Sequence, residues 1–211
     1  MKRLAILGAS GHGKVVGDAA SLCGWDGITF FDDAWPRIET LGPWRVMGSA
    51  ADLGRGAVSF DGVVVAIGHN ATRLEHQRAL QRQGLPIVTI VHPAATVSRW
   101  AAVGPGSVIC AGAVVNAVAM IGAACIVNTC ASVDHDCVLA DGVHLSPGVH
   151  LGGDVRVGER SWVGIAASVN HGLSIGAGVT IGAGAAVVED VRDGVTVVGI
   201  PAREVGHRSR V

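Results

Sequence analysis

LADGVHLSPGVHLGGDVRVG, residues 139–158, places a branched aliphatic residue at 139, 145, 151 and 157. The same frame runs in both directions: positions 97, 103, 109, 115, 121, 127, 133, 139, 145, 151, 157, 163, 169, 175, 181 and 187 are all Val, Ile or Leu. Such residues fill roughly a quarter of the chain, so chance gives this run about once in a billion for a chosen frame. The slot four residues later holds only Ala, Ser, Cys, Val or Leu, beginning Ala101, Ser107, Ala113, Ala119, Cys125. A helix cannot use a period of six, because the interval drifts around a 3.6-residue turn and buries no constant face. Very short strands can. The aliphatic points inward, the small residue lies beside it, and a glycine or Asn, as in Val103-Gly104 or Ile181-Gly182, takes the strained corner. Three hexads close an 18-residue triangular coil, and stacked coils hydrogen-bond about 4.8 Å apart, so sixteen hexads predict a prism of about five coils and roughly 25 Å.

Outside this stretch the 211-residue chain is ordinary in charge and unusual in composition. The net charge of -1 argues against nucleic acid and anionic membranes as partners. No apolar run of about 18 residues is present to span a bilayer. The start does not read as a signal peptide, since Met1–Leu7 is followed at once by a glycine-rich turn. Tyr is absent, and the five cysteines include no CxxC pair. Reduced thiols in a soluble, cytoplasmic protein are therefore expected.

Residues 1–92 have a different rhythm and read as a separate domain ahead of the repeat domain, 93–211. Apolar runs at Arg3–Leu7, Ile28–Phe31, Val63–Ile67 and Val88–Val91 alternate with helical spacing over His12–Leu22 and over Ala71–Gln83, the latter capped by Asn70. Continuous apolar strands separated by helices predict a parallel sheet covered on both faces. Between Trp35 and Ala57 only a short helix, Ser49–Leu53, is readable.

With the motifs Ile-Leu-Gly-Ala-Ser-Gly-His-Gly-Lys (6–14), Phe-Phe-Asp-Asp (30–33), Val-Asn-Thr (127–129), Asp-His-Asp-Cys (134–137) and Val-Val-Gly-Ile-Pro-Ala-Arg (197–203), the chain resembles the hexapeptide-repeat sugar acetyltransferases of the PglD/NeuD/perosamine N-acetyltransferase family. The resemblance extends over essentially the whole chain. It implies an α/β, Rossmann-like nucleotide-sugar-binding domain followed by a left-handed parallel β-helix, a handedness opposite to the usual crossover rule. It also implies acetyl-CoA as co-substrate, a nucleotide-linked amino-deoxy sugar as acceptor, a homotrimer with active sites between subunits, and no metal.

The residues fit that chemistry. Acetyl transfer to an amine needs a base near neutral pH and a donor for the developing oxyanion. His135 is the candidate base; Asp134 or Asp136 is placed to hold its second nitrogen, and the resemblance points to Asp136. It also implies that His144, nine residues on, lies near the thioester carbonyl. His150 and His171 read as ordinary solenoid-surface residues. A rival metal site of the γ-carbonic anhydrase kind, using His135 and His171, would find Gly176 where a further histidine is needed. In the first domain, Gly8–Gly13 follows a strand and opens a helix, the right context for phosphate, although its spacing is not the strict dinucleotide fingerprint. Asp32 and Asp33 end the second strand, where an acid commonly accepts from ribose. Gly11, His12, Gly13, Lys14, Gly68, Asn70 and Asn128 complete the substrate candidates implied by the resemblance. Gly153, Ile165, Ala166 and Ala183, with His144, are the implied coenzyme A contacts, and Arg203 would face its phosphate. Two other readings use the same residues: O-acetylation of a sialic-acid-type hydroxyl, and a nucleotide-binding scaffold without catalysis.

Overall fold

A computed structural model describes residues 2–55 and 60–205. The first domain runs β1 (Arg3–Leu7), α1 (Gly11–Leu22), β2 (Gly27–Phe31), β3 (Thr40–Leu41), β4 (Trp44–Val46), α2 (Ala50–Gly54), β5 (Gly62–Val65) and α3 (Asn70–Arg82). The sheet order is β3-β4-β2-β1-β5, with β1 parallel to both β2 and β5. Successive side chains of a strand point to opposite faces, and β1 shows the result. Leu4 and Ile6 pack with Val16, Ala19 and Ala20 on one face, while Ala5 and Leu7 pack with Leu53 and Leu80 on the other. The segment after Trp35 that gave no reading forms β3 and β4; β4 joins β2 in parallel and β3 folds back antiparallel at the edge. Ala57, the limit of that segment, lies outside the described residues.

From Ile90 to Val187 the chain coils through strands of two residues that pair in parallel with the strand eighteen residues on, as in Val115↔Val133, Ile121↔Leu139 and Val127↔Leu145. The eight-strand wall ends with Thr196–Val198, sixteen residues after Thr180–Ile181, and the antiparallel Arg203–Glu204. Three walls result, of six, five and eight strands. Of the sixteen repeat aliphatics all are buried except Val97 and Val103, which sit in the first coil. The small slot shares the interior, where Ala113, Cys125, Val143 and Val155 are wholly enclosed.

Three expectations change. The segment Val88–Val91 is divided between the two domains: Ile87 bridges Val63 and the Val88 N–H donates to the Val63 carbonyl at the edge of the first sheet, whereas Ile90–Val91 pairs with Val108–Ile109 and opens the eight-strand wall. Val91 stands six residues before Val97, so the hexad frame reaches back further than the aliphatic run at 97 shows. Ile90, Val108 and Cys110 face outward from that wall but are buried in the same cluster as Leu4, Ile6 and Val16, so the two domains share one apolar seam. Second, the glycines that follow the aliphatics are not the corners. Every sixth residue from Gly106 to Gly184 has positive φ, and half of these are not glycine, including Val118, Asp136, Asp154 and Ala166. Gly104, Gly122, Gly158 and Gly164 are required instead by close approach, since a Cβ on Gly104 would lie 2.6 Å from the Gly122 carbonyl carbon on the next coil. The α3 cap also differs. His69 is the N-cap and accepts from the Thr72 N–H, whereas Asn70 begins the helix and is buried.

Candidate active site

His135 stands on the edge joining the six-strand wall (Ser132–Val133) to the five-strand wall (Val138–Leu139). Its Nδ1 meets Asp136 Oδ2 at 2.8 Å, and its side chain is 62% exposed, leaving Nε2 to the outside. Asp134 is turned the other way, and its Oδ1 accepts from the His135 backbone N–H and from Asn116 Nδ2, both at 2.8 Å. Of the two flanking acids, Asp136 is therefore the one that touches the ring. Its hydrogen bond, helped by the charges of Asp134 and Asp154, holds the imidazole above the ordinary histidine value. Asp136 adopts φ 61°, a left-handed corner that an Asp tolerates better than most residues. Gly153, one coil further on, passes beneath the ring, and a Cβ there would lie 2.5 Å from His135 Cε1 and 2.6 Å from Nε2.

His144 belongs to another place altogether. It lies on the eight-strand wall facing the first domain, with its ring centroid 6.4 Å from that of His12 and 6.5 Å from Trp162. Asn128 Oδ1 accepts from the Thr129 N–H at 2.9 Å, which fixes the amide orientation and turns Nδ2 toward His144 Nε2 at 3.2 Å. Nε2 is thus the acceptor, so the neutral ring carries its proton on Nδ1. That Nδ1 is buried with the Gly68 backbone as its neighbour, too poorly aligned for a full hydrogen bond, and His12 Nε2 is buried without a partner. Burial, reinforced by the Arg73 charge, lowers His144 to about 3 and His12 to about 4. Both rings are neutral at physiological pH. A cavity of about 580 Å³ opens beside them, between Gly68–Ala71 and the solenoid residues Arg160, Trp162 and Thr180.

The glycine-rich turn separates into packing and open positions. A Cβ on Gly8, at φ 115°, would lie 2.8 Å from the Ala66 carbonyl oxygen, and one on Gly13 would meet the Gly8 carbonyl. Gly11 and Gly68 have nothing within 4 Å of such an atom, so packing does not demand glycine there. The first turn of α1 carries no acidic residue, and Lys14 is exposed beside it, an arrangement suited to an anion. Asp32 is spent internally, Oδ2 accepting from the Ala9 N–H (2.7 Å) and Oδ1 from the Ala34 N–H (2.8 Å). Asp33 Oδ1 accepts from the Ala50 N–H. Asn70 is likewise occupied: Nδ2 donates to the Arg160 and Ser161 carbonyls, and Oδ1 accepts from Arg73.

Ile165, Ala166 and Ala183 lie at the edge joining the eight- and six-strand walls on successive coils, and all three are exposed. Gly153 lies on the His135 edge instead. Arg203, on the terminal strand Arg203–Glu204, approaches Glu189 at 3.5 Å. His150 bonds Ser132 and His171 faces Asn170, each through Nδ1. No group of three His, Cys, Asp or Glu able to hold a metal occurs among the described residues. Arg73 and Gln77, both buried on α3, are site-proximal residues that sequence reasoning missed. The spacing 70, 73, 74, 77, 80 on α3 is the signal that marks them, one helix face irrespective of polarity.

The expected residues therefore form two clusters within one chain. In a three-walled prism, the His135 edge lies opposite the eight-strand wall that carries His144 and the first domain.

Comparison with known proteins identifies the family to which this fold belongs. The family model described as the PglD N-terminal domain matches residues 3–80. A UDP-N-acetylbacillosamine N-acetyltransferase of Bacillus subtilis (strain 168) is 38% identical over 116 residues, 53% of this chain and 52% of the relative, so the match spans about half of that protein. The acetyltransferase domain of PglB from Neisseria gonorrhoeae FA1090, solved with acetyl coenzyme A, is 41% identical with a TM-score of 0.93, covering 97% of this chain and 99% of that one. PerB from Caulobacter crescentus, solved with CoA and GDP-perosamine, is 36% identical with a TM-score of 0.92 and 98% coverage of each chain. An N-terminal parallel-sheet domain on a left-handed parallel β-helix, matched along nearly its whole length, makes this chain a member of the PglD family of sugar N-acetyltransferases.

Proposed function

We propose that the protein transfers the acetyl group of acetyl-CoA to the free amine of a nucleotide-linked amino-deoxy sugar, by direct attack. The observation that carries this reading is the exposed His135 imidazole, backed by Asp136 and standing over Gly153 with Nε2 open. In that geometry Nε2 accepts the proton that the amine loses as its nitrogen bonds the acetyl carbon, and Asp136 stabilises the imidazolium. The carbon–sulfur bond breaks, and the thiolate leaves and is protonated to CoA. The neutral His144 ring, on the wall facing the first domain, is a suitable donor to the thioester oxygen as charge grows there. The α1 N-terminus with Lys14 suits the nucleotide phosphates, and the exposed small corners at Ile165, Ala166 and Ala183 suit the pantetheine arm.

These pieces meet only between copies. A cyclic homotrimer that sets the His135 edge of one chain against the His144 wall of the next completes the site, with the six-strand wall turned to the axis. The outward side chains of that wall, Thr96, Val114, Ser132, His150, Ser168 and Ala186, include no carboxylate, Lys or Arg. A cytoplasmic setting supplies both co-substrates. The test is mixed-chain complementation, scored by CoA release with GDP-perosamine and with a UDP-linked amino sugar. Equal mixing of His135→Ala and His144→Ala chains restores about a quarter of wild-type sites if each site draws the two histidines from different chains of a trimer. No restored activity, from mutants that mix and fold, would reject the shared site. Transfer to hydroxy-sugars alone would reject N-acetylation.

A further inference from the structure

Arg73 is on a surface helix, yet only 1% of it reaches solvent. A buried guanidinium is costly unless its donors are matched. Here Nε donates to the Ala124 carbonyl (2.8 Å), Nη1 to the carbonyls of Ile67 (2.9 Å) and Gly68 (3.1 Å), and Nη2 to Asn70 Oδ1 (2.8 Å) and the Gly142 carbonyl (2.9 Å). Every acceptor is neutral. Among the described ion pairs no carboxylate approaches Arg73. Its neighbours Leu74 and Gln77 fill the same interface without charge, so packing alone does not account for a cation there.

The acceptors define what the group ties together. Ile67 and Gly68 belong to the turn before α3. Ala124 and Gly142 stand one coil apart at the corners that lead into Ile126 and His144. The groups facing Arg73 are His12 from α1, Cys125 and His144 from the solenoid, and Asn70 from its own helix. Asp141, which also acts on Cys125, is half-exposed and pairs with Arg78 at 3.2 Å. Burial pushes Cys125 up to about 11 and keeps that thiol neutral, while Arg73, brought down to about 10, stays charged at neutral pH. The inner cluster thus carries one uncompensated positive charge.

Building on the proposed function, we propose that Arg73 is a positioning residue of acetyl transfer. It locks the Gly68 turn of the first domain onto the coil bearing His144, and its unneutralised charge behind the cleft favours the acceptor's free amine over the ammonium form. Only the free amine has the lone pair that attacks, and a fixed cation nearby favours loss of its proton. The same charge adds to burial in keeping His12 and His144 uncharged, so neither competes for that proton.

The experiment compares wild type, Arg73→Lys and Arg73→Gln, with Arg73→Met replacing the glutamine variant if the latter does not fold. One arm follows CoA release with GDP-perosamine between pH 6 and 9. The neutral variant is expected to lose about tenfold or more in kcat/KM, with its acidic limb moved up by about half a pH unit or more. Arg73→Lys should keep the wild-type limb while kcat falls, because charge is retained and the five-acceptor geometry is not. The second arm needs no acceptor: imidazole NMR titration of His12 and His144 should move upward in the neutral variant and stay in place in the lysine variant. Inactive wild-type enzyme with this acceptor would count against the acceptor assignment, and the titration arm then decides Arg73 alone. A lowered melting temperature with unchanged limb and unchanged imidazole titration would reduce Arg73 to a structural bolt and overturn the proposal.

Discussion

Gly153→Ala isolates the placement of one imidazole. The new Cβ would stand 2.5 Å from His135 Cε1 and 2.6 Å from Nε2, whereas ordinary contact begins near 3.4 Å, so the ring must retreat by close to an ångström. It has somewhere to go, being largely exposed, and Gly153 has no positive φ that a methyl group would strain. The displacement therefore costs little stability, and it pulls Nδ1 away from Asp136 and Nε2 away from the attacking nitrogen. A misplacement of about 1 Å costs on the order of a hundredfold in rate. Steady-state CoA release, with both substrates varied, should show kcat down by that order while the melting temperature holds within a degree or two of wild type. The split between constants matters, because Gly153 is also an expected coenzyme A contact. If it only lines that channel, KM for acetyl-CoA rises and kcat stays. Wild-type kcat in Gly153→Ala would refute the claim that the ring's position over this glycine governs turnover.

Two further expectations concern protonation. Asp136→Asn removes the main cause of the raised His135 value, so the acidic limb of kcat/KM should move to lower pH and kcat should fall by roughly ten- to a hundredfold; a pH profile with its limb at the wild-type position would contradict the pairing. For stability, His12 and His144 are depressed in the folded protein, so the unfolded chain takes up protons that the folded chain refuses. Stability should decline as pH falls from about 6.5 toward 4, and denaturant titrations of a His12→Asn/His144→Asn double variant should show a visibly flatter dependence.

The period of six was legible because a solenoid repeats one environment: sixteen aliphatics in one phase leave a single physical solution. Corner chemistry was less legible. Half of the left-handed positions carry a Cβ, so glycine marked the sites of close approach between coils more reliably than the bends. The strand at Ile90–Val91 looked like part of the first domain because its outward residue is apolar, and Ile90 is apolar because that domain covers it. Of the candidate site, the contact of His135 with an acid was foreshadowed by the carboxylates on either side of it. The resemblance pointed to Asp136 where the residues alone left Asp134 open, and what separates the two is a corner that turns one carboxylate to the ring and the other to the backbone. Arg73 and Gln77 were obscured because a buried polar stripe on α3 resembles a solvated helix until its partners, far away in sequence, are in place.

The apolar seam of Ile90, Val108 and Cys110 has a consequence for traffic through the molecule. Two bodies joined along shared hydrocarbon resist hinging against each other, so under the proposed function one chain does not swing open by itself to admit or release a bulky nucleotide. In the proposed trimer, entry and exit then fall to the gaps between neighbouring chains, and the pace of product departure becomes a property of the assembly.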